Sequence, residues 1–171
     1  MRRLFLPALV AMGMPLFSAA AVGAPVGAAQ PPTGKAIILL PTTVTRIDDL
    51  DFGKLSVTAA GTAILNSTSD AVTTTGGVLL QGGTPHAARF IATSPSKNVV
   101  KIQLPNKATT LTRVGGTETM ILDAWNINGA LTRNVVAREE FEFKVGGTLH
   151  IAANQAEGVY TGTFDVTVNY N

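Results

Sequence analysis

Two histidines, His86 and His150, and two acidic clusters, Asp48-Asp49-Leu50-Asp51 and Glu139-Glu140-Phe141-Glu142, are the residues of this chain whose types suit metal binding or proton transfer. Chemistry asks for more than type. A transition-metal site needs several imidazole, thiolate or carboxylate donors converging on one point. The two histidines stand 64 residues apart without ligand-like neighbours, and the chain has no cysteine. They read as exposed polar residues on strands. A calcium loop places oxygen ligands at fixed offsets over about a dozen residues. "DDLD" lacks the further ligands and reads as a solvated turn. Glu140 and Glu142 alternate with Phe141 and Phe143, which puts the carboxylates on the wet face of a strand. There is no phosphate-cradling glycine loop and no nucleophile elbow. Asn66-Ser67-Thr68 fits a glycosylation sequon, a tripeptide common by chance. The single tryptophan, Trp125, suits a stacked sugar or a plug between sheets, and the plug is expected. The chain is thus expected not to be an enzyme and to hold no cofactor or metal.

The elements that must position these residues are strands. The last stretch, "GVYTGTFDVTVNYN" (158–171), alternates Tyr160, Gly162, Phe164, Val166, Val168 and Tyr170 with polar residues. Period-two alternation is the mark of a half-buried strand. "EEFEFKVGGTLHIAA" (139–153) repeats it with Phe141, Phe143, Val145, Leu149 and Ile151 in one phase, and Gly146-Gly147 marks a bulge or tight turn. "NVVKIQLP" (98–105), "HAARFIATS" (86–94), "GGVLLQGG" (76–83) and "GTAILN" (61–66) are further candidates. "TETMILDAWNI" (117–127) is apolar in both phases, so its inward face is ambiguous. "KAIILLPTTVTRI" (35–47) is a first strand expected to be buried on both faces at Ile37 to Leu40, with Pro41 restricting it to an edge or bend. No helical periodicity of useful length is present. Eight or nine short strands, with turn signals every 8 to 15 residues, predict an all-β sandwich or barrel.

The chain opens with a basic pair, Arg2-Arg3, an apolar run from Leu4 to Phe17 and a small-residue stretch, the pattern of a secretory signal peptide over 1–29. Residues 30–35 form a short flexible leader, and 36–171 the β-domain. Removal of the signal takes two of the 13 basic residues and leaves 11 against 11 acidic ones. That balance carries no basic stripe for nucleic acid, and no integral membrane span is expected in the mature chain. Without disulfides, an exported domain of this size must be held by packing and strand pairing.

"DLDFG" (49–53), "GGTPHAARF" (82–90) and "FKVGGTLHIAANQAEGVYTGTFDVTVNYN" (143–171) together resemble the bacterial domain-of-unknown-function family 4402 (DUF4402) over nearly the whole mature chain. The resemblance implies a secreted β-protein related to pilus subunits. The tail is also similar to that of chaperone–usher pilus subunits, with Gly158 fourteenth from the end and Tyr170 penultimate. This implies an immunoglobulin-like, pilin-like antiparallel sandwich. Its C-terminal strand (Gly158, Tyr160, Phe164, Val166, Val168, Tyr170) would border a groove filled by a periplasmic chaperone and then by a strand of the next subunit, assembled through an usher. The donor candidate is Ala36 to Thr45, presenting Ala36, Ile38, Leu40 and Val44; the same residues could instead be the domain's own first strand.

Three functions fit. The first is an exported fimbrial or pilus-like subunit that self-associates, or joins related subunits, by strand addition. The second is a self-complete secreted sandwich acting as an adhesin or binding module. The third is a small outer-membrane β-barrel, against which stands the lack of aromatic residues recurring at both ends of each strand.

Overall fold

The computed structural model describes residues 43–94 and 96–170, and these contain strands and no helix. Eleven strands follow in order: β1 (Thr43–Asp48), β2 (Lys54–Leu65), β3 (Val72–Gly82), β4 (Ala88–Thr93), β5 (Asn98–Gln103), β6 (Thr109–Arg113), β7 (Thr119–Ile127), β8 (Thr132–Val135), β9 (Glu140–Ile151), β10 (Tyr160–Thr161) and β11 (Thr167–Tyr170). All pairings are antiparallel. Eight strands form one sheet, ordered β1-β4-β9-β7-β6-β10 with β2 and β3 branching from β9, and β11-β5-β8 form a second.

Of the sandwich and the barrel that the alternation allows, the antiparallel sandwich implied by the family resemblance is present. Its division into eight and three strands does not by itself specify the four-against-three immunoglobulin pattern. Among the described residues β1, β3, β8, β10 and β11 are each bonded on one side only, so these strands form two open sheets rather than a closed barrel.

β9 organises the large sheet. One edge bonds to β7 between Val145 and His150; the other is shared, with β4 along Glu140–Val145 and β2 along Gly147–Ile151. The irregularity expected at Gly146-Gly147 is a bulge whose extra residue lies on the partner strand: β7 shifts register between Asp123 and Asn126, with Ala124 at φ 45°. A Cβ on Gly146 would lie 2.3 Å from the Leu65 carbonyl oxygen, and one on Gly147 would meet Leu122 and Trp125. These glycines let three strands and an indole converge on β9. Asn126 closes the junction: its Nδ2 donates to Leu65 O (3.0 Å) and its Oδ1 accepts from Ser67 N (2.9 Å).

The β2–β3 hairpin shifts register between Val57 and Gly61, opposite Gly76 and Val78. Leu55, Val57 and Val78 thereby reach a first apolar cluster with Ala63, Leu65, Leu122, Leu149 and Ile151. A second cluster, between the β4–β9 half of the large sheet and the small sheet, holds Ala92, Ile102, Phe143 and Val145. Burying a side chain such as Phe143 or Leu65 contributes about 1.5–3 kcal/mol. Trp125 packs against both clusters.

Candidate functional site

The segment singled out by its alternation runs from Gly158 to Tyr170, and the structure divides it. β10 pairs with β6 in the large sheet, Tyr160 opposite Arg113. β11 pairs with β5 in the small sheet, Val168 opposite Ile102 and Tyr170 opposite Val100. The expected continuous strand is therefore two short ones in different sheets, joined by Gly162 to Val166. The reason lies at Gly162, where a Cβ would stand 2.7 Å from Leu111 Cδ2 and from Thr110 O. The chain brushes the edge of β6 there and leaves it to cover the second cluster.

The inward phase persists through the crossing. Phe164, Val166 and Val168 are half-buried against the second cluster, while Asp165, Thr167 and Asn169 are exposed. Phe164 lies against Trp125 with ring centroids 4.5 Å apart. Trp125 Nε1 donates to Lys107 O at 3.3 Å, so the indole serves as the expected plug.

The start of the segment is pinned. Gly158 has φ 149°, and a Cβ there would come within 2.9 Å of the Arg113 side chain. Arg113 spans this glycine: its Nε donates to Glu118 Oε2 at 2.7 Å and its Nη1 to Glu157 O at 3.3 Å. The Glu118 bond raises the Arg113 guanidinium above its ordinary value, and Arg113 holds the Glu118 carboxyl below its own. Tyr160 is tied inside the preceding turn, its hydroxyl donating to Ala156 O (2.7 Å) and accepting from Gln155 Nε2 (2.8 Å).

Of the donor candidates, Val44 lies in β1, opposite Ala92 of β4. Ala36, Ile38 and Leu40 lie outside the described residues, as do the signal segment and leader.

Several of the acidic and histidine residues singled out in the sequence are paired or hydrogen-bonded. Asp48 accepts from Arg89 Nε at 2.7 Å, Asp49 pairs with Arg46, and Asp51 Oδ1 accepts from Gly53 N at 2.7 Å. Glu142 lies 3.4 Å from Arg89, and His150 Nε2 lies 2.7 Å from Asp123. Among the described residues no group of three or more His, Cys, Asp or Glu side chains could hold a metal ion. One charged site escaped the sequence reading because its members are far apart in the chain. Asp48, Asp70, His86, Arg89, Glu142 and Lys144 line a cavity of about 390 Å³. Arg133 was equally illegible: it donates to Ala130 O and Glu142 O, both at 2.9 Å, and lies 5.9 Å from the Phe143 ring. Burial pushes its guanidinium below the ordinary value.

A cysteine-free antiparallel sandwich whose last segment passes from one sheet to the other is the class of protein this fold defines. The family model described as Domain of unknown function (DUF4402) matches residues 42–170, and the chain belongs to that family. No curated protein and no solved structure matches the chain.

Proposed function

We propose that this protein is an exported structural subunit of a fimbrial or pilus-like surface fibre, joined to its neighbours by β-strand addition and without catalytic activity. The observation that carries the reading is the stretch Gly162–Val166. It lies outside both sheets, and among the described residues no backbone hydrogen bond joins it to another segment. Yet Phe164 and Val166 are half-buried against the second cluster. Backbone amides left outside a ladder beside partly buried side chains are satisfied by water or by an added strand. An added strand also supplies apolar side chains in alternate positions. Val44 is bonded to β4, so the donated part of the candidate segment is Ala36 to Pro41. The signal pattern at Arg2, Arg3 and Leu4 to Phe17 supports export. A periplasmic chaperone and an usher are the partners this assembly calls for.

The test is the assembly state of the mature protein, by sedimentation and by electron microscopy for fibres. Assembly is expected, and Ile38→Asp or Leu40→Asp should abolish it. A stable monomer, alone and with a chaperone, whose residues 36 to 40 resist hydrogen exchange would overturn the reading. Mature protein that begins at Met1 on N-terminal sequencing would remove export.

A further inference from the structure

Among the described residues five strand edges are bonded on one side only, and four of these are short or charged. β10 has two residues; β8 and β11 have four each, and β8 carries Arg133. β1 carries Arg46 and Asp48, paired with Asp49 and Arg89. Shortness and charge are the devices that keep sheets from pairing edge to edge. β3 has neither. Val72–Gly82 reads VTTTGGVLLQG, 11 residues without a charge or a proline. Thr73 and Thr75 are exposed, and Leu79 is 54 % exposed. Gly76, at φ 66°, divides this edge into Val72–Thr75 and Val78–Gly82.

We infer that the Val72–Thr75 edge is a self-association site, at which β3 of one copy pairs antiparallel with β3 of a second copy about a two-fold axis at Thr74. A closed two-fold contact sets each residue against its symmetry partner. Here it sets Thr73 against Thr75 and Val72 against Gly76, so no like charges meet. It also brings threonines together, a pairing this sheet already uses: the Thr62 and Thr75 hydroxyls lie 2.7 Å apart across β2 and β3. Cross-strand threonine pairs stabilise sheets. Leu79 and Leu80, both exposed farther along the same strand, add apolar surface beside the contact. The occupant is a second copy because the uncharged edge is complementary to itself and offers nothing charged for a different partner to read. This contact is lateral, separate from the Gly162–Val166 segment and independent of the fibre reading.

The chain has no cysteine, so single-cysteine variants of the full mature protein report the contact directly. Thr74→Cys places a thiol opposite its own copy; Val159→Cys, 67 % exposed beside β10, is the control. Under mild oxidation Thr74→Cys should form a covalent dimer at least tenfold faster than the control. The cysteine-free protein should dimerise in a concentration-dependent way, and Thr73→Lys with Thr75→Lys should weaken that dimer at least tenfold while the circular dichroism spectrum is retained. A native protein that stays monomeric across the concentration range overturns the proposal. Equal cross-linking at both positions, or a dimer indifferent to the lysines, also overturns it. So does dimerisation that appears only once residues 30–42 are removed, since the chain's own leader would then occupy the edge. End-to-end assembly through residues 36–41 is read by Ile38→Asp, and stands or falls separately.

Discussion

Lys144, at the centre of β9, reaches across to Asp70 in the β2–β3 turn, Nζ to Oδ2 at 2.7 Å. Asp70 also accepts from Ala87 N at 2.9 Å. The Lys144 hydrogen bond first, and the Ala87 amide second, hold the Asp70 carboxyl below its ordinary value of 3.8. A depressed folded-state value means that the charged form is the stabilising one. The contribution is full above the ordinary aspartate range and is lost as pH falls below it, through the depressed value. Asp70→Asn should therefore lower the urea midpoint at neutral pH and flatten its fall on acidification. A variant as acid-sensitive as the parent would assign that limb to other carboxylates. Phe164 supplies a second residue-level test. It is half-buried against Trp125, so Phe164→Ala should cost near the lower end of the range for aromatic truncation, about 3 kcal/mol. Exposed Thr167→Ser should stay within about 0.5 kcal/mol. Equal denaturation midpoints would mean that the inward phase of this segment is wrong.

Among the strands, β9 is bonded to β2, β4 and β7, whereas β1 is bonded to β4 alone and is exposed along most of its length. Amide exchange should accordingly be slowest at Val145 and Leu149 and fast along Thr43 to Ile47; protection highest in β1 would contradict this hierarchy. The same hierarchy decides what could be read from the sequence. β9 and β5 were legible because one face of each is mostly buried and their phase never slips. β7 was ambiguous for a physical reason. Met120 and Leu122 face inward, the bulge at Ala124 inserts a residue, and Trp125 and Ile127 then face inward in the opposite phase. A bulge converts two clean half-patterns into one that looks apolar on both faces. β6 and β8 were missed: "TTLTR" is mostly hydroxyls and "TRNV" is four residues long. β2 and β3 were each seen only in part, because Thr58 to Ala60 and Gly76-Gly77 break their alternation. Long-range partners such as Lys144 and Asp70, or Asn126 and Leu65, leave no local signal at all.

At the scale of the molecule, the described residues are built around two apolar clusters, and Trp125 is packed against both. The large sheet has ladders across its strands, but no ladder joins it to the small sheet among the described residues. The small sheet is made of strands of six, four and four residues. It is held by side chains in the second cluster, by Arg133 reaching Glu142 O, and by the Arg138 N to Ser94 O bond at 2.8 Å. Three strands are the minimum for a sheet that stands alone, and only with a covered hydrophobic face, so the small sheet depends on the core it shares with the large one. Trp125 is the residue placed to carry cooperativity between the sheets. In the parent protein, unfolding followed by tryptophan fluorescence and by far-ultraviolet circular dichroism should coincide, as for a single cooperative unit. Trp125 is half-buried, so Trp125→Ala should cost near the lower end of the range for aromatic truncation, about 3 kcal/mol. It should also separate the clusters, so that Val100 and Ile102 amides exchange at a lower opening free energy than Ala63 and Leu65. Trp125→Phe keeps an aromatic ring facing Phe164 and loses the bond to Lys107 O. It should therefore be milder and leave the opening energies together. If both sets of amides in Trp125→Ala still open together, the sheets are coupled through the backbone connections and the indole is only filling.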